Sequence, residues 1–135
     1  MSGVICARNA LGLDTEVVGV VSENANTYQL SFAAGKCIGT NSADTIADGL
    51  AVRNPSQKAL DMILGQLERI VDISEQEILD AIAYYFTDTH NVAEGAGAAG
   101  LAALLKEKEI NQGKKVGVIF SGGNIDKDLF KQALG

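Results

Sequence analysis

The segment from Val116 to Asp126 constrains the fold of this chain more than any other. Its first residues, through Phe120, are apolar and rich in β-branched types, which is typical of a strand buried on both faces. Ser121 follows, and the two glycines after it allow a sharp turn and a close approach of the backbone to a ligand. A helix is predicted from Asp126 to about Leu134, with its first amide groups directed back at the turn.

This order of strand, turn and helix has two interpretations. In the first, the hydroxyl of Ser121 lies at the carboxyl end of a strand and presents a polar group to a cofactor beside a helix start. In the second, the segment is an ordinary connection in which Ser121 only caps the helix. The residues of the segment are compatible with both.

The remaining chain alternates helices with short apolar segments. Helices are predicted at residues 2–11, 25–34, 54–68, 74–89, 97–108 and 126–134, and strands at residues 16–21, 70–73 and 115–120. Residues 36–38 are a candidate short strand. This order predicts an α/β fold, an open parallel sheet with helices on both faces and the helix from Ser74 packed across it. No repeat or change of composition marks a second domain, so residues 1–135 are interpreted as a single domain.

Two of the predicted helices begin with specific signals. Asn54 and Pro55 have the residue types preferred at the cap and at the first helical position. Ser74 and Glu77 have the spacing of a capping box, in which each side chain accepts a hydrogen bond from the other residue's backbone. We therefore expect helices to begin at both places.

Composition and charge narrow the class of protein. A hydrophobic content of 47% with 21% charged residues is ordinary for a soluble α/β domain. The net charge of −6 argues against nucleic acid or an anionic membrane as a partner, and no apolar run approaches the roughly 20 residues of a membrane span. Cys6 and Cys37 have neither metal-site nor CxxC spacing, so we expect reduced thiols in a cytoplasmic protein.

A glycine pattern from Gly95 to Gly100 has the letters of the dinucleotide-binding fingerprint GxGxxG. That fingerprint follows a strand and opens a helix, and an acidic residue ends the next strand. Here a helix precedes the glycines, and the next predicted strand ends at Phe120 and Ser121. The glycines are therefore interpreted as positions of close helix packing.

Three segments, in the same order, resemble one family. Ser121-Gly-Gly-Asn124 after an apolar strand, Thr45-Ile-Ala-Asp-Gly49 and Glu94-Gly-Ala-Gly-Ala98 are similar to segments of the pyridoxal-phosphate-dependent threonine and serine dehydratases, which have the tryptophan synthase β-like fold (fold type II). The opening Ser2–Ile5 resembles the helix after the family's polyglycine phosphate loop. The resemblance covers essentially the whole chain, and it implies the carboxyl-terminal part of the large catalytic domain of such an enzyme.

The resemblance also implies a cofactor site. In the family, the matching serine shares a hydrogen bond with the pyridine nitrogen of pyridoxal 5′-phosphate, which implies that role for Ser121, with Gly122, Gly49 and Glu94 lining the ring. From the residues alone, Glu94 is equally well a charge at a helix N-terminus, and Gly49 equally well part of a simple turn. Serine racemase and some other relatives hold a divalent cation, but the corresponding positions here lack carboxylate ligands, so we expect no metal site.

The family's Schiff-base lysine lies far upstream in a Ser-x-Lys motif, and its phosphate loop lies just before the residue that matches Met1. Neither is present, and the eight lysines of the chain have polar or helix-edge surroundings. No catalytic residue is therefore assigned, and the chain alone is expected to bind the cofactor weakly or not at all and to be inactive.

For the intact enzyme, the resemblance implies elimination of the β-hydroxyl of a small hydroxy amino acid, giving a 2-oxo acid and ammonia, as in isoleucine biosynthesis. We expect a cytoplasmic homo-oligomer. The preferred substrate among threonine, serine and hydroxyaspartate stays open. The alternatives are a fragment of serine racemase or of another amino-acid lyase of this fold, and a non-catalytic oligomerisation module.

Overall fold

The computed structural model describes residues 1–135, which form six α-helices and two strands. In chain order these are α1 (Ser2–Ala10), β1 (Val18–Ser22), α2 (Thr27–Ala34), α3 (Gln57–Ile63), β2 (Arg69–Ile73), α4 (Glu75–Thr89), α5 (Gly95–Lys106) and α6 (Lys127–Leu134). Short 3-10 turns cover Glu23–Ala25 and Asp48–Leu50. No helix combines the length and the apolar character needed to cross a membrane.

The two strands form a parallel pair. Val18 lies opposite Arg69, and the register continues to Ser22 opposite Ile73. Both strands were predicted from their apolar residues, and both are confirmed with boundaries shifted by one or two residues. A parallel pair requires a crossover connection, and here α2, the following loop and α3 provide it.

Helices cover both faces of this small sheet, as predicted. On one face, Val71 and Ile73 join a buried cluster with side chains of α4 and α5. On the other face, Val21 and Ile70 join a second cluster with side chains of α1 and α3. The helix in closest contact with both strands is α5, whereas α4 shares the first cluster but packs mainly against α5 and α6. The predicted placement of the Ser74 helix directly across the sheet is therefore only partly right.

The predicted strand at residues 115–120 does not form. The segment has no regular secondary structure and no hydrogen-bonded neighbour in the sheet, and 68% of Ile119 is exposed. Its other side is anchored, because Val118 lies over Gly100 and the ring of Phe120 packs edge-on against Tyr85 with centroids 4.9 Å apart. The apolar pattern indicated a strand covered on both faces, but it carried no information on whether a neighbouring strand belongs to these 135 residues.

Two other predicted elements differ from the structure. The helix expected at residues 54–68 is the shorter α3, whose N-cap is Ser56 rather than Asn54 and which ends before Gly65, where φ is +69°. Left-handed backbone at a glycine is a common helix stop. The candidate strand at residues 36–38 is absent, because the backbone of Ile38 is hydrogen-bonded to the side chain of Ser31 on α2.

The predicted capping box of α4 is present. The Ser74 hydroxyl accepts a hydrogen bond from the Glu77 amide at 3.2 Å, and the Glu77 carboxylate accepts one from the Ser74 amide at 2.7 Å. Partial burial raises the pKa of Glu77, but the hydrogen bonds from Ser74 and the nearby charge of Lys106 outweigh this effect and lower the pKa overall. These bonds satisfy amide groups that the first turn of a helix leaves unpaired.

A second charged contact joins the start of β2 to the end of α5. Arg69 donates two hydrogen bonds to the carboxylate of Glu107, at 2.9 and 2.6 Å. Bidentate pairs of this kind are stronger than single hydrogen bonds between neutral groups. The hydrogen bonds from Arg69 lower the pKa of the Glu107 carboxyl below its ordinary value of 4.5, against the opposing effect of partial burial.

We expect this pair to make stability depend on pH. A carboxyl with a lowered folded-state pKa stabilises the fold above its ordinary value of 4.5, and the contribution is lost as the pH falls through the lowered pKa. Denaturant unfolding between about pH 6 and about pH 3 should therefore show a smaller loss of stability in Glu107→Gln than in the parent. The exposed Glu109 provides the matched control, and equal pH slopes in Glu107→Gln and Glu109→Gln would contradict the prediction.

Candidate functional site

Ser121 lies where the apolar segment 116–120 ends and the turn towards α6 begins. Its side chain is exposed, and it does not cap α6, whose N-cap is Asp126. The interpretation of Ser121 as a simple helix cap is therefore wrong. The hydroxyl of Ser121 is exposed at the start of a turn whose backbone is held by other residues.

Glu94 makes most of the polar contacts to this turn. Its backbone amide donates a hydrogen bond to the Gly122 carbonyl at 3.1 Å. Its carboxylate accepts a hydrogen bond from the Asn124 amide at 3.0 Å. A side chain at Gly122 would overlap the same carboxylate and displace it from its present position. The structure thus brings Glu94 and Gly122 together, as the predicted site requires.

The first turn of α5 packs closely against the turn that follows Ser121. A Cβ atom on Gly97 would collide with the Gly122 carbonyl, which is backbone and cannot move aside as a side chain could. A Cβ atom on Gly123 would likewise meet the carbonyl of Val92. The interpretation of the glycine pattern as close helix packing is confirmed.

Gly49 approaches α5 from another direction. It lies in the 3-10 turn Asp48–Leu50, and a Cβ atom at this position would be 2.8 Å from the Cβ atom of Ala96. One residue earlier on α5, Gly95 leaves room for Ala47, whose Cα atom would be 2.9 Å from an added Cβ. The loop that carries Gly49 is thus pressed against the start of the helix.

Glu75, which sequence reasoning did not single out, fixes this loop to the sheet. Its carboxylate accepts hydrogen bonds from the Ile46 amide at 2.7 Å and from the hydroxyl of Ser22, the last residue of β1, at 2.8 Å. Ser22 is fully buried. The only signal in the sequence was an acidic residue in the first turn of a predicted helix, and that feature is usually explained by the helix dipole alone.

A groove of about 340 Å³ lies between the Gly49 loop and the turn after Ser121. It is lined by Ile46, Asp48, Gly49, Glu94, Gly95, Ala96, Asn124, Ile125, Asp126 and Leu129. Two of the four predicted site residues, Gly49 and Glu94, line the groove. Gly122 contacts Glu94 but is not itself part of the wall, and neither is Ser121.

The charges of the groove decide which part of pyridoxal phosphate these residues fit. Asp48, Glu94 and Asp126 are acidic, and no lysine or arginine lines the wall. Such a surface repels a phosphate dianion, whereas the glycine backbone in the wall leaves room for the face of a flat ring. The lining residues are therefore unsuited to the phosphate of the cofactor, and only its ring is compatible with them.

No lysine lines this groove. Lys58 has a serine two residues before it, as the family's lysine has, but it is exposed on α3. That helix packs into the cluster on the opposite face of the sheet. The structure also contains no group of three or more histidine, cysteine, aspartate or glutamate side chains that could hold a metal ion.

Comparison with known proteins defines the class. The family described as "Pyridoxal-phosphate dependent enzyme" matches residues 1–122. The match covers far more than half of the chain, so the chain belongs to this family of pyridoxal-phosphate-dependent enzymes. The resemblance seen in the three sequence segments, and the cofactor that it implied for the family, are confirmed.

Individual relatives agree with this class. L-threonine ammonia-lyase of Thermotoga maritima is 34% identical over 134 residues, which is 99% of this chain and 33% of that protein. The solved T.th. threonine deaminase has a TM-score of 0.85 and 30% identity over 93% of this chain and 46% of its own. Maize serine racemase has a TM-score of 0.87 and 28% identity over 98% of this chain and 42% of its own. The chain thus spans between a third and a half of these relatives.

The contact between α5 and the turn gives a testable prediction. Gly97→Ala should destabilise the fold by about 1–3 kcal/mol, because the added methyl group overlaps the Gly122 carbonyl. Gly3→Ala is the matched control, since Gly3 is also helical but has nothing within 4 Å of an added Cβ, and alanine there should gain up to about 1 kcal/mol. Denaturant unfolding measures both, and a Gly97→Ala variant as stable as the parent would contradict the packing described.

Proposed function

We propose that this chain is the carboxyl-terminal part of the catalytic domain of a pyridoxal-phosphate-dependent ammonia-lyase. The reaction is elimination of the β-hydroxyl of threonine or serine, giving a 2-oxo acid and ammonia. The observation that carries the proposal is the exposed hydroxyl of Ser121 at the end of the apolar segment 116–120, on a turn held by Glu94 beside the groove. The similarity to an L-threonine ammonia-lyase and to a threonine deaminase supports the reaction and the substrate class.

Each predicted site residue has a defined task in this proposal. When bound, pyridoxal phosphate supplies the electron-withdrawing ring that eases loss of the α-proton. Ser121 shares a hydrogen bond with the pyridine nitrogen, Gly122 and Gly49 let backbone come close to the ring, and Glu94 lines the ring beside them. A neutral hydroxyl at the nitrogen does not stabilise a full positive charge there, as a carboxylate would. We expect this moderate polarisation to favour loss of the β-hydroxyl over return of the proton to the α-carbon.

The remaining parts of the proposal concern the whole enzyme. The chemistry needs a lysine amine and a phosphate cradle, and the acidic groove supports the view that residues 1–135 do not supply them. We therefore propose that the chain alone is inactive and that the intact enzyme is a cytoplasmic homo-oligomer of amino-acid metabolism, such as isoleucine biosynthesis. The exposed apolar side of the segment 116–120 supports association with further protein surface.

A chimera tests the proposed reaction. If this chain replaces the matched segment of the Thermotoga maritima enzyme, the chimera should release ammonia from threonine or serine in the presence of pyridoxal phosphate. The isolated chain should release none, and borohydride reduction with the cofactor should give no stoichiometric adduct on any single lysine. A folded, cofactor-loaded chimera without lyase activity would contradict the proposal. A single lysine adduct with ammonia release by the isolated chain would contradict its inactivity.

The role of Ser121 is tested in the same chimera. Ser121→Ala removes one hydrogen-bond partner, so ammonia release should fall on the order of tenfold or more. Ser121→Asp should favour a protonated ring nitrogen and shift the outcome from elimination towards α-proton exchange. Ser42→Ala, at an exposed serine away from the groove, is the control. If ammonia release and α-proton exchange both stay within about twofold of the parent in both Ser121 variants, Ser121 does not contact the cofactor.

The second candidate function is amino-acid racemisation, which the similarity to maize serine racemase supports. Both reactions begin with loss of the α-proton, and they differ in whether the proton returns or the hydroxyl leaves. Chiral analysis of serine during turnover by the chimera separates them. D-serine formation without ammonia would favour the racemase.

A further inference from the structure

The carboxylate of Glu94 is bound to the turn beyond Ser121 rather than left free at the groove. From this arrangement we propose that Glu94 is a positioning residue for Ser121: it clamps residues 122–124 and so sets the direction of the hydroxyl that meets the cofactor. The inference rests on the proposed function of Ser121, but the clamp itself is a property of this chain alone.

Two hydrogen bonds from one residue bracket the turn. The Glu94 amide holds the carbonyl of Gly122, the residue next to Ser121, at 3.1 Å. The Glu94 carboxylate holds the amide of Asn124, two residues further on, at 3.0 Å. The two bonds hold the peptide groups that follow Gly122 and Gly123, so the backbone is fixed at two points immediately beyond Ser121.

The position of Glu94 explains why its side chain is available for this contact. Glu94 is the N-cap residue of α5, with extended backbone (φ −83°, ψ 167°), yet its side chain makes no capping hydrogen bond to its own helix. A carboxylate at a helix N-terminus is stabilised by the positive end of the helix dipole. The charge is thus favoured where it lies, while its oxygen atoms face the neighbouring turn.

Close packing confines the carboxylate on the side of the turn, while the residue also lines the groove. Gly122 lies directly against it, with no room for a side chain between them. Gly97 presses on the Gly122 carbonyl from the side of α5. A carboxylate held in this way is a hydrogen-bond acceptor of fixed geometry. Its effect on the cofactor ring should therefore pass through the turn, and it should depend on the shape of the Glu94 side chain rather than on its charge.

This distinction separates two substitutions. Glu94→Gln removes the charge but keeps an acceptor oxygen of the same reach, so a clamp should survive it. Glu94→Ala removes the acceptor and should free the Asn124 amide. If Glu94 instead acted on the cofactor through its charge, both substitutions would be equally harmful. Glu109→Ala and Glu109→Gln are matched controls at an exposed glutamate outside the groove.

The first measurement needs no cofactor. Amide hydrogen exchange, followed by NMR on the 135-residue chain, should be on the order of tenfold faster at Asn124 in Glu94→Ala than in the parent. In Glu94→Gln and in both Glu109 variants it should stay within about twofold of the parent. Unchanged exchange at Asn124 in Glu94→Ala overturns the inference, whatever is found for activity. Equal acceleration in Glu94→Ala and Glu94→Gln overturns it as well.

The second measurement uses the chimera with the Thermotoga maritima enzyme. Glu94→Ala should lower kcat on the order of tenfold and shift the absorption of the bound cofactor, while Glu94→Gln should restore both. If Glu94 acts through Ser121, the variant with both Ser121→Ala and Glu94→Ala should be no slower than Ser121→Ala alone. Fully additive losses overturn the inference. A faster-exchanging Asn124 amide together with an unimpaired Ser121→Ala chimera confirms the clamp and refutes the proposed function instead.

Discussion

The close packing that glycines allow around α5 is the constraint on which the rest of this structure depends. Three glycines on this helix each admit a different segment of the chain. Gly95 admits Ala47, Gly97 admits the Gly122 carbonyl and Gly100 admits Val118. The helix also lies against both strands of the sheet. Segments that are far apart in sequence therefore pack closely around this helix, because it has no side chains at these three positions to keep them apart.

Two carboxylates hold in place the loops that the glycines allow to pack closely. Glu75 lies in the first turn of α4 and accepts a hydrogen bond from the amide of Ile46, while Glu94, the N-cap residue of α5, accepts one from the amide of Asn124. In each case a loop lacks a strand or helix partner for its amide group, and a charged acceptor at a helix start supplies one. Close packing thus sets how near the loops lie, and the carboxylates set their orientation.

The sequence allowed most of the helices and both strands to be predicted, because these elements depend on local signals. The capping box at Ser74 is an example: four consecutive residues contain all that is needed to start α4. The placement of Glu94 beside Gly122 came from resemblance to a family, and nothing local implied it. Glu75 was missed because its partners, Ser22 and Ile46, are 53 and 29 residues away in the chain.

The same reasoning explains the wrong predictions. Asn54 and Pro55 have the residue types of a helix start, yet α3 begins after Ser56, because local preference is weak beside the packing of Leu60 and Ile63 into the core. For residues 115–120 the apolar pattern indicated what covers the two faces of the segment, but not which strands lie hydrogen-bonded at its edges. Apolar residue types report what covers a strand above and below, whereas its hydrogen-bonded neighbours leave little trace in the strand's own residues.

The segment at residues 116–120 has a consequence for how this chain behaves among copies of itself. Val118 and Phe120 fix it against α5 and α4, so part of its conformational entropy has been lost before any partner arrives. Its backbone donors and acceptors have no strand beside them, and Ile119 faces water. Uncovered apolar backbone of this kind is a template for pairing with other chains. The net charge of −6 opposes that pairing, and since salt screens such repulsion, ionic strength should govern whether the chain stays dispersed.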